Sequence, residues 1–365
     1  MKRCALFLFC TAVLLGAVVS PAIAQSKSQA AIKAPHINQA ARTHLEKAWA
    51  AAYHPGHPLM VLYETVCAPA LSQRGPVEPA TVIAPPMSER LKNVPTRAEW
   101  YMEPRKVFDN LYWLGSWGNG YSVPNEAGDS IWAVTTSAGI ILIDAAYEYQ
   151  GEELVTNGLK KMGLNPADIK YLIISHPHGD RYFGARYVQD TYKARVIMSE
   201  ADWGTLAKSN EPNELKPRKD MVATDGMKLT LGETTLTLYI TPGHTPGTVS
   251  TLVPLRDGNR THTGVVWGGI NPSFERYGVR YYSSLQETFK IWSDSAARMQ
   301  DIIKMTGADV YLTIHPMYDD AMSKLHAVDY RQPSDPHPLV SKENLVNFMT
   351  IIEECTRAQL ARITK

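Results

Sequence analysis

One stretch constrains this chain's fold more than any other. Tyr171-Leu172-Ile173-Ile174 has the apolar pattern of a buried strand, and it runs directly into Ser175-His176-Pro177-His178-Gly179-Asp180-Arg181. Two histidines one residue apart and an aspartate two further on can converge on a metal where a strand ends and a loop turns. Imidazole and carboxylate are zinc ligands, and catalytic zinc typically has three protein ligands and one open position. Two further segments share this placement. Thr241-Pro242-Gly243-His244-Thr245-Pro246-Gly247 holds a histidine between two glycine turns, and Leu312-Thr313-Ile314-His315-Pro316 ends an apolar run on another. Four histidines and one aspartate thus sit where strands hand over to loops.

The chain has room for this. Its 365 residues, 44% hydrophobic and 20% charged, suit a core-forming protein of one large or two small domains. The formal net charge of +1 gives no basic or acidic surplus that would point to nucleic acid. Lys2 and Arg3 precede an apolar run from Ala5 to Val19, and Ala22-Ile23-Ala24 has a small-x-small pattern. That run is short for a membrane span and no stop-transfer pattern follows it. The expectation is a signal peptide over 1–24, cleavage after Ala24, and export to a bacterial periplasm without stable membrane insertion. Removing Lys2 and Arg3 from 37 basic residues leaves 35 against 36 acidic ones, a charge near −1. Cys4 and Cys10 leave with the leader. Cys67 and Cys355 remain, either as one disulfide tying the N-terminal extension to the C-terminal helix or as two buried thiols.

Periodicity divides the mature chain. Residues 25–104 read as an N-terminal extension: a mobile start, helical character over 36–53, then a proline-rich segment from 54 to 104 wrapping the core. Strand pairs are expected at 107–108 with 111–114, and at 130–136 with 139–144. A helix over 152–162 and the strand at 169–175 lead into the histidine loop. A short helix (184–192) and a strand (195–199) follow, then strands at 227–231, 234–240, 248–254 and 263–267. A helix over 285–305, a strand over 309–314 and a helix over 342–363 close the chain. Two groups of strands, each followed by helices, imply two sheets with helices outside, an αββα sandwich of the α/β class. Residues 105–330 would be the hydrolase-like domain, with 331–365 a C-terminal helix packed on it.

The three histidine motifs, in this order and strand context, resemble the metallo-β-lactamase superfamily from about Val107 to His326. TPGHTPG and the later IHP look most like subclass B3 β-lactamases and related hydrolases. The resemblance implies the same αββα fold, with the metal site at one edge between the sheets. It also implies that His176, His178 and His244 hold one zinc, which lowers the pKa of a bound water to roughly 7. By the same resemblance Asp180 and His315 belong to a second metal site. Asp180 would also orient the water and pass its proton to the leaving nitrogen. Asp144, closing Ile141-Leu142-Ile143, would stand behind the ligands, bonding a ring N–H or the metal loop; a turn-capping aspartate is the plainer reading.

Arg181 departs from the family's HxHxDH pattern. A guanidinium has no lone pair to give a metal, so one zinc is expected firmly and a second is in doubt. Three accounts stay open. Arg181 replaces the second cation and suits a substrate carboxylate, or a second metal binds with another partner, or Arg181 points to solvent in an altered site. Phe183, where the family has a small residue, packs or narrows the site's mouth. His36, His44, His54, His57, His262, His326 and His337 are read as non-ligands, His262 being the nearest to an exception.

No carboxylate occupies Val265-Val266-Trp267-Gly268-Gly269-Ile270-Asn271, against the branches that use a bridging aspartate there, and no cysteine marks a B1-type site. Asn271 and Ser273 are weak candidates for substrate contacts. The expected function is a secreted zinc-dependent hydrolase of a small molecule, similar to B3 β-lactamases, opening a cyclic amide by zinc-hydroxide attack. The alternatives are a zinc hydrolase of another ester, lactone or amide, and a non-catalytic zinc-binding protein of the same fold. The sequence does not give the oligomeric state.

Overall fold

The computed structural model describes residues 38–53, 59–68, 87–117, 128–276 and 278–364. The expected leader and the prolines at 55, 58, 69, 76, 79, 85 and 86 lie outside these residues. Strands β1 (Arg105–Phe108), β2 (Leu111–Trp113), β3 (Trp132–Thr136), β4 (Gly139–Ile143), β5 (Ile169–Ile173), β6 (Arg195–Ser199) and β7 (Met221–Ala223) form one sheet in chain order. It is antiparallel up to β4 and parallel from β4 to β7. A second sheet has the order β14-β11-β10-β9-β8, from β8 (Met227–Leu231), β9 (Thr234–Ile240), β10 (Val249–Asp257), β11 (Arg260–Val266) and β14 (Val310–Tyr311). Between β11 and β14 in sequence lies a small hairpin, β12 (Glu275–Arg276) with β13 (Val279–Arg280).

The apolar pattern explains the layers. Val134, Ile141, Ile143, Ile173 and Ile197 of the first sheet join Leu236, Leu238, Val253 and Val265 of the second in one buried cluster. The alternate residues Ala133, Ile140, Leu142, Leu172, Val196 and Met198 form a second cluster with Leu154, Leu159, Val188 and Leu206 from flanking helices. Period-2 alternation on buried strands thus fills both faces of the first sheet. The expected αββα sandwich is the architecture found. Parallel pairing of β4 to β6 brings the ends of β4 and β5 side by side, so Asp144 and the histidine loop emerge at one edge.

The extension is more helical than its prolines suggested. Helices α1 (Gln39–Ala52) and α2 (Met60–Val66) pack on the long C-terminal helix Lys342–Ile363. Alanines line the buried face of α1, where Ala41, Ala48 and Ala52 let the backbones approach closely, and Trp49 is left at the surface. Asn38 caps α1 and donates to Ala361 O at 2.6 Å, and Gln359 donates to Val66 O and Ala68 O. Cys67 and Cys355 are disulfide-bonded across 288 positions, which settles the pairing left open by the sequence. The Lys342–Ile363 helix forms as expected. The strand expected over 309–314 shrinks to Val310–Tyr311, because the carbonyls of Thr313 and Ile314 are taken by Trp132, Ser130 and Arg181 instead of by a neighbouring strand. The helix Glu200–Lys208 (α3) and the β12–β13 hairpin had no sequence assignment. Among the described residues no helix is long and apolar enough to cross a membrane.

Closing so long a loop restricts the unfolded chain, and disulfides contribute about 2–4 kcal/mol by this route. A Cys67→Ala/Cys355→Ala double variant is expected to lose stability of that order in urea unfolding, and two alkylated thiols in the unreduced protein would contradict the bridge.

Candidate metal centre

Strand β5 stops at Ile173, and Ile174 N–H still bonds Ile197 O of β6 at 2.9 Å. The next residue is captured from the side. Ser175 N–H and Oγ–H donate to Asp144 Oδ1 and Oδ2 at 2.8 and 2.9 Å. Asp144 itself has φ of 64°, a left-handed conformation that costs about 1–2 kcal/mol for a residue with a Cβ. That strain aims its carboxylate at the metal loop, so Asp144 bonds the loop rather than a histidine ring. From across the interface, Val249 N–H of β10 donates to Ser175 O at 2.8 Å. The two sheets therefore grip one residue, immediately before His176.

His176, His178 and His244 then meet. His244 Nε2 lies 3.1 Å from His176 Nε2 and 3.0 Å from His178 Nδ1. Tetrahedral zinc with Zn–N of about 2.0–2.1 Å places its ligand nitrogens roughly 3.3–3.4 Å apart, so the donor set fits that ion. The rings are fixed from behind. His176 Nδ1–H donates to Gly268 O at 2.6 Å and His244 Nδ1–H to Asn271 O at 2.5 Å. This needs the segment after β11 to lie flat against the rings, and a Cβ on Gly269 would sit 2.4 Å from His244 Cβ. Burial pushes the pKa of all three below the usual histidine range, His244 to about 4, so each offers a neutral imidazole.

A second group, Asp129, Asp180 and His315, lies alongside. Arg181 is wholly buried within it. Its guanidinium donates to Asp180 Oδ2 from Nε and Nη2 at 3.0 and 2.9 Å, to Ile314 O from Nη1 at 3.0 Å, and to Asp129 Oδ1 from Nη2. Nη1 is also 3.5 Å from Asp144 Oδ2. Three carboxylates and a carbonyl therefore occupy this cation. Two expectations fall here: Arg181 does not face solvent, and it is not placed to bind a substrate carboxylate. Burial alone would raise the Asp180 pKa, but Arg181 and His315 hold it well below the usual carboxylate range. Burial raises Asp144 to about 6 against the pull of Arg181. His315 Nδ1–H donates to Gly128 O at 2.8 Å, which turns the bare Nε2 towards Asp180 Oδ2 at 3.4 Å.

The remaining expected residues are accounted for. Asn271 lends its backbone oxygen to His244, and its side-chain oxygen is buried with no hydrogen-bond partner among the described residues. Ser273 N–H donates to Gly243 O at 3.1 Å, beside the His244 loop. Phe183 packs: it is buried against Tyr147 and Tyr182, under the Arg90 guanidinium, and pressed onto Gly179, where a Cβ would be 2.3 Å from its ring. His262 lies in β11, not a turn, and bonds Asp309; His337 bonds Val107 O. Neither joins a metal group.

Two buried acids around the histidine and Arg181 loops had no sequence assignment. Asp129, just before β3, shares with Asp144 and Asp180 a position where chain and strand meet, the signal that could have found it. Asp202 on α3 accepts from Thr245 Oγ1 at 2.6 Å and from Gly247 N–H at 2.9 Å, clamping the His244 loop.

Residues 126–264 match the model of the metallo-beta-lactamase superfamily. The solved subclass B3 metallo-beta-lactamase BJP-1 of Bradyrhizobium japonicum superposes with a TM-score of 0.58 at 25% identity, covering 74% of this chain and 95% of that one. Native FEZ-1 metallo-beta-lactamase of Legionella gormanii gives 0.56 at 22% identity, covering 68% and 91%. A Cronobacter sakazakii metallo-beta-lactamase described by its HARLDQ motif gives 0.53 at 23%, covering 68% and 90%. By sequence, 107 residues are 33% identical to the N-acyl homoserine lactonase AttM of Agrobacterium fabrum, 27% of this chain and 40% of that protein's length.

Burial pushes the Asp202 carboxyl up to about 7. An acid with a raised folded pKa holds an extra proton in the folded state, so its contribution is full below about pH 4 and is lost as pH rises to about 7. Relative to wild type, Asp202→Asn is expected to gain on the order of 2–4 kcal/mol across that window in urea unfolding at stepped pH; a pH-independent difference would remove the raised pKa.

Proposed function

We propose that this protein, whose residues 126–264 match the metallo-beta-lactamase superfamily, is a zinc-dependent, B3-like β-lactamase that opens a cyclic amide with one tightly held metal. The observation that carries the reading is the cage of three neutral imidazoles, 3.0 and 3.1 Å apart, beside an ionised Asp180. Zinc held there supplies a Lewis acid and water activated for attack at neutral pH. The chain's own residues do the rest. Asp180 is fixed by two bonds from Arg181 and stays charged, so it accepts a hydrogen bond from water, orients it towards the substrate carbonyl, and carries a proton only in passing. Its low proton affinity makes it an orienting group first and lets it release the proton readily to a leaving nitrogen. Asn271 and Ser273, on the segment that braces the His244 loop, flank the cage as substrate contacts.

Arg181 takes the part of a second cation. Asp129, Asp144 and Asp180 with Arg181 carry a formal charge of −2 in the fold, which one divalent ion brings to zero. The HARLDQ motif by which the Cronobacter relative is described also ends without histidine.

A second reading is a lactone or ester substrate, favoured by the match to an N-acyl homoserine lactonase. Both readings place the protein outside the cytoplasm, directed by the leader at 1–24. The Cys67–Cys355 bridge suits such an oxidising compartment.

Purified protein lacking the leader is expected to hydrolyse a chromogenic cephalosporin or a carbapenem, and to stop when a chelator is added. Chelator-sensitive turnover of lactones alone would favour the second reading. Metal analysis should find one tightly held zinc per chain, and two would remove the stand-in role of Arg181. Asp180→Asn is expected to lower kcat about 100-fold or more with zinc retained; near-wild-type turnover would contradict its role.

A further inference from the structure

The three cage histidines are held from behind in two different ways. His176 and His244 each donate a ring N–H to a backbone carbonyl, Gly268 O and Asn271 O. His178 differs. Its Nδ1 faces the cage centre, which leaves the proton on Nε2, and Nε2 lies 3.2 Å from Tyr281 Oη. The rings are near parallel, with centroids 6.2 Å apart and planes 21° from each other. Tyr281 is therefore a side-chain acceptor where the shortest contacts behind His176 and His244 are to main chain, the Ser175 hydroxyl lying further off at 3.2 Å from His176 Nδ1.

Tyr281 follows directly on the β12–β13 hairpin, which is tied at both ends to the metal loops. Tyr281 N–H donates to Phe274 O at 2.9 Å and closes the hairpin. At the other end Ser273 N–H reaches Gly243 O, next to His244. One short excursion, from Asn271 to Tyr281, thus carries the substrate-contact residues and touches both loops that bear the cage histidines.

We propose that Tyr281 is a positioning residue for the metal: its hydroxyl accepts the His178 Nε2–H, fixes the ring with Nδ1 towards the cage, and so sets how tightly zinc is held. This rests on the reading of the cage as a zinc centre. A partner behind a liganding histidine fixes its tautomer and raises its basicity, and losing one typically costs 10–100-fold in metal affinity. A phenol is a weaker acceptor than a carboxylate, so His178 is the ligand whose hold depends most on side-chain substitution.

The test uses zinc alone. Tyr281→Phe keeps the ring and removes the hydroxyl. Competition against a chromophoric chelator is expected to show a zinc Kd raised about ten-fold or more, with the melting temperature of the metal-free protein unchanged. Nitrogen-15 NMR of the zinc-loaded wild type provides a readout that does not depend on any variant. It should show His178 ligated through Nδ1 with a slowly exchanging Nε2 proton, and that protection should vanish in Tyr281→Phe. A Kd within two-fold of wild type, or His178 ligated through Nε2, overturns the proposal. Wild-type protein that binds no zinc would instead overturn the metal-centre reading itself.

Discussion

The site depends on a buried ion network. Arg181 has no exposed surface, and its guanidinium is shared by Asp129, Asp180, Asp144 and the carbonyl of Ile314. Each partner comes from a different segment: the lead-in to β3, the histidine loop, the end of β4 and the turn before His315. Ser130 N–H also donates to Ile314 O, so one carbonyl joins three strand ends. Burying such a network is not itself evidence of stability, since desolvation offsets much of the attraction. Its contribution is geometric: the strand ends hold their registry because a cation with several fixed donors cannot be satisfied otherwise.

Around that cation the metal cage is assembled largely by main chain. Ser175 is gripped by both sheets, and two of the histidines are oriented by backbone carbonyls. Backbone acceptors survive side-chain substitution, so the cage is resistant to drift where these atoms act. It is open to adjustment where side chains act, at Asp202, Asp144 and Tyr281. Those are the places where relatives of one fold can differ in metal hold without losing the fold.

The architecture and the three histidine motifs were legible because both are local. Alternation over a few residues marks a strand, and a histidine at a strand's end is visible in the text of the chain. The direction of Arg181 was not legible. Whether a guanidinium turns inward depends on acceptors far away in sequence, here Asp129, 52 positions earlier, and the carbonyl of Ile314, 133 positions later. Asp202 and Tyr281 escaped for the same reason, since each acts on a loop from another element. The β12–β13 hairpin has strands of two residues, too short for any periodicity to show.

The Cys67–Cys355 bridge closes most of the chain into a covalent ring. Both sheets and every cage residue lie inside it. A single proteolytic nick in any surface loop between these cysteines therefore leaves two pieces that remain covalently linked, and only a nick between His178 and His244 divides the cage between them. Reduction, rather than cleavage, is what would let such pieces part.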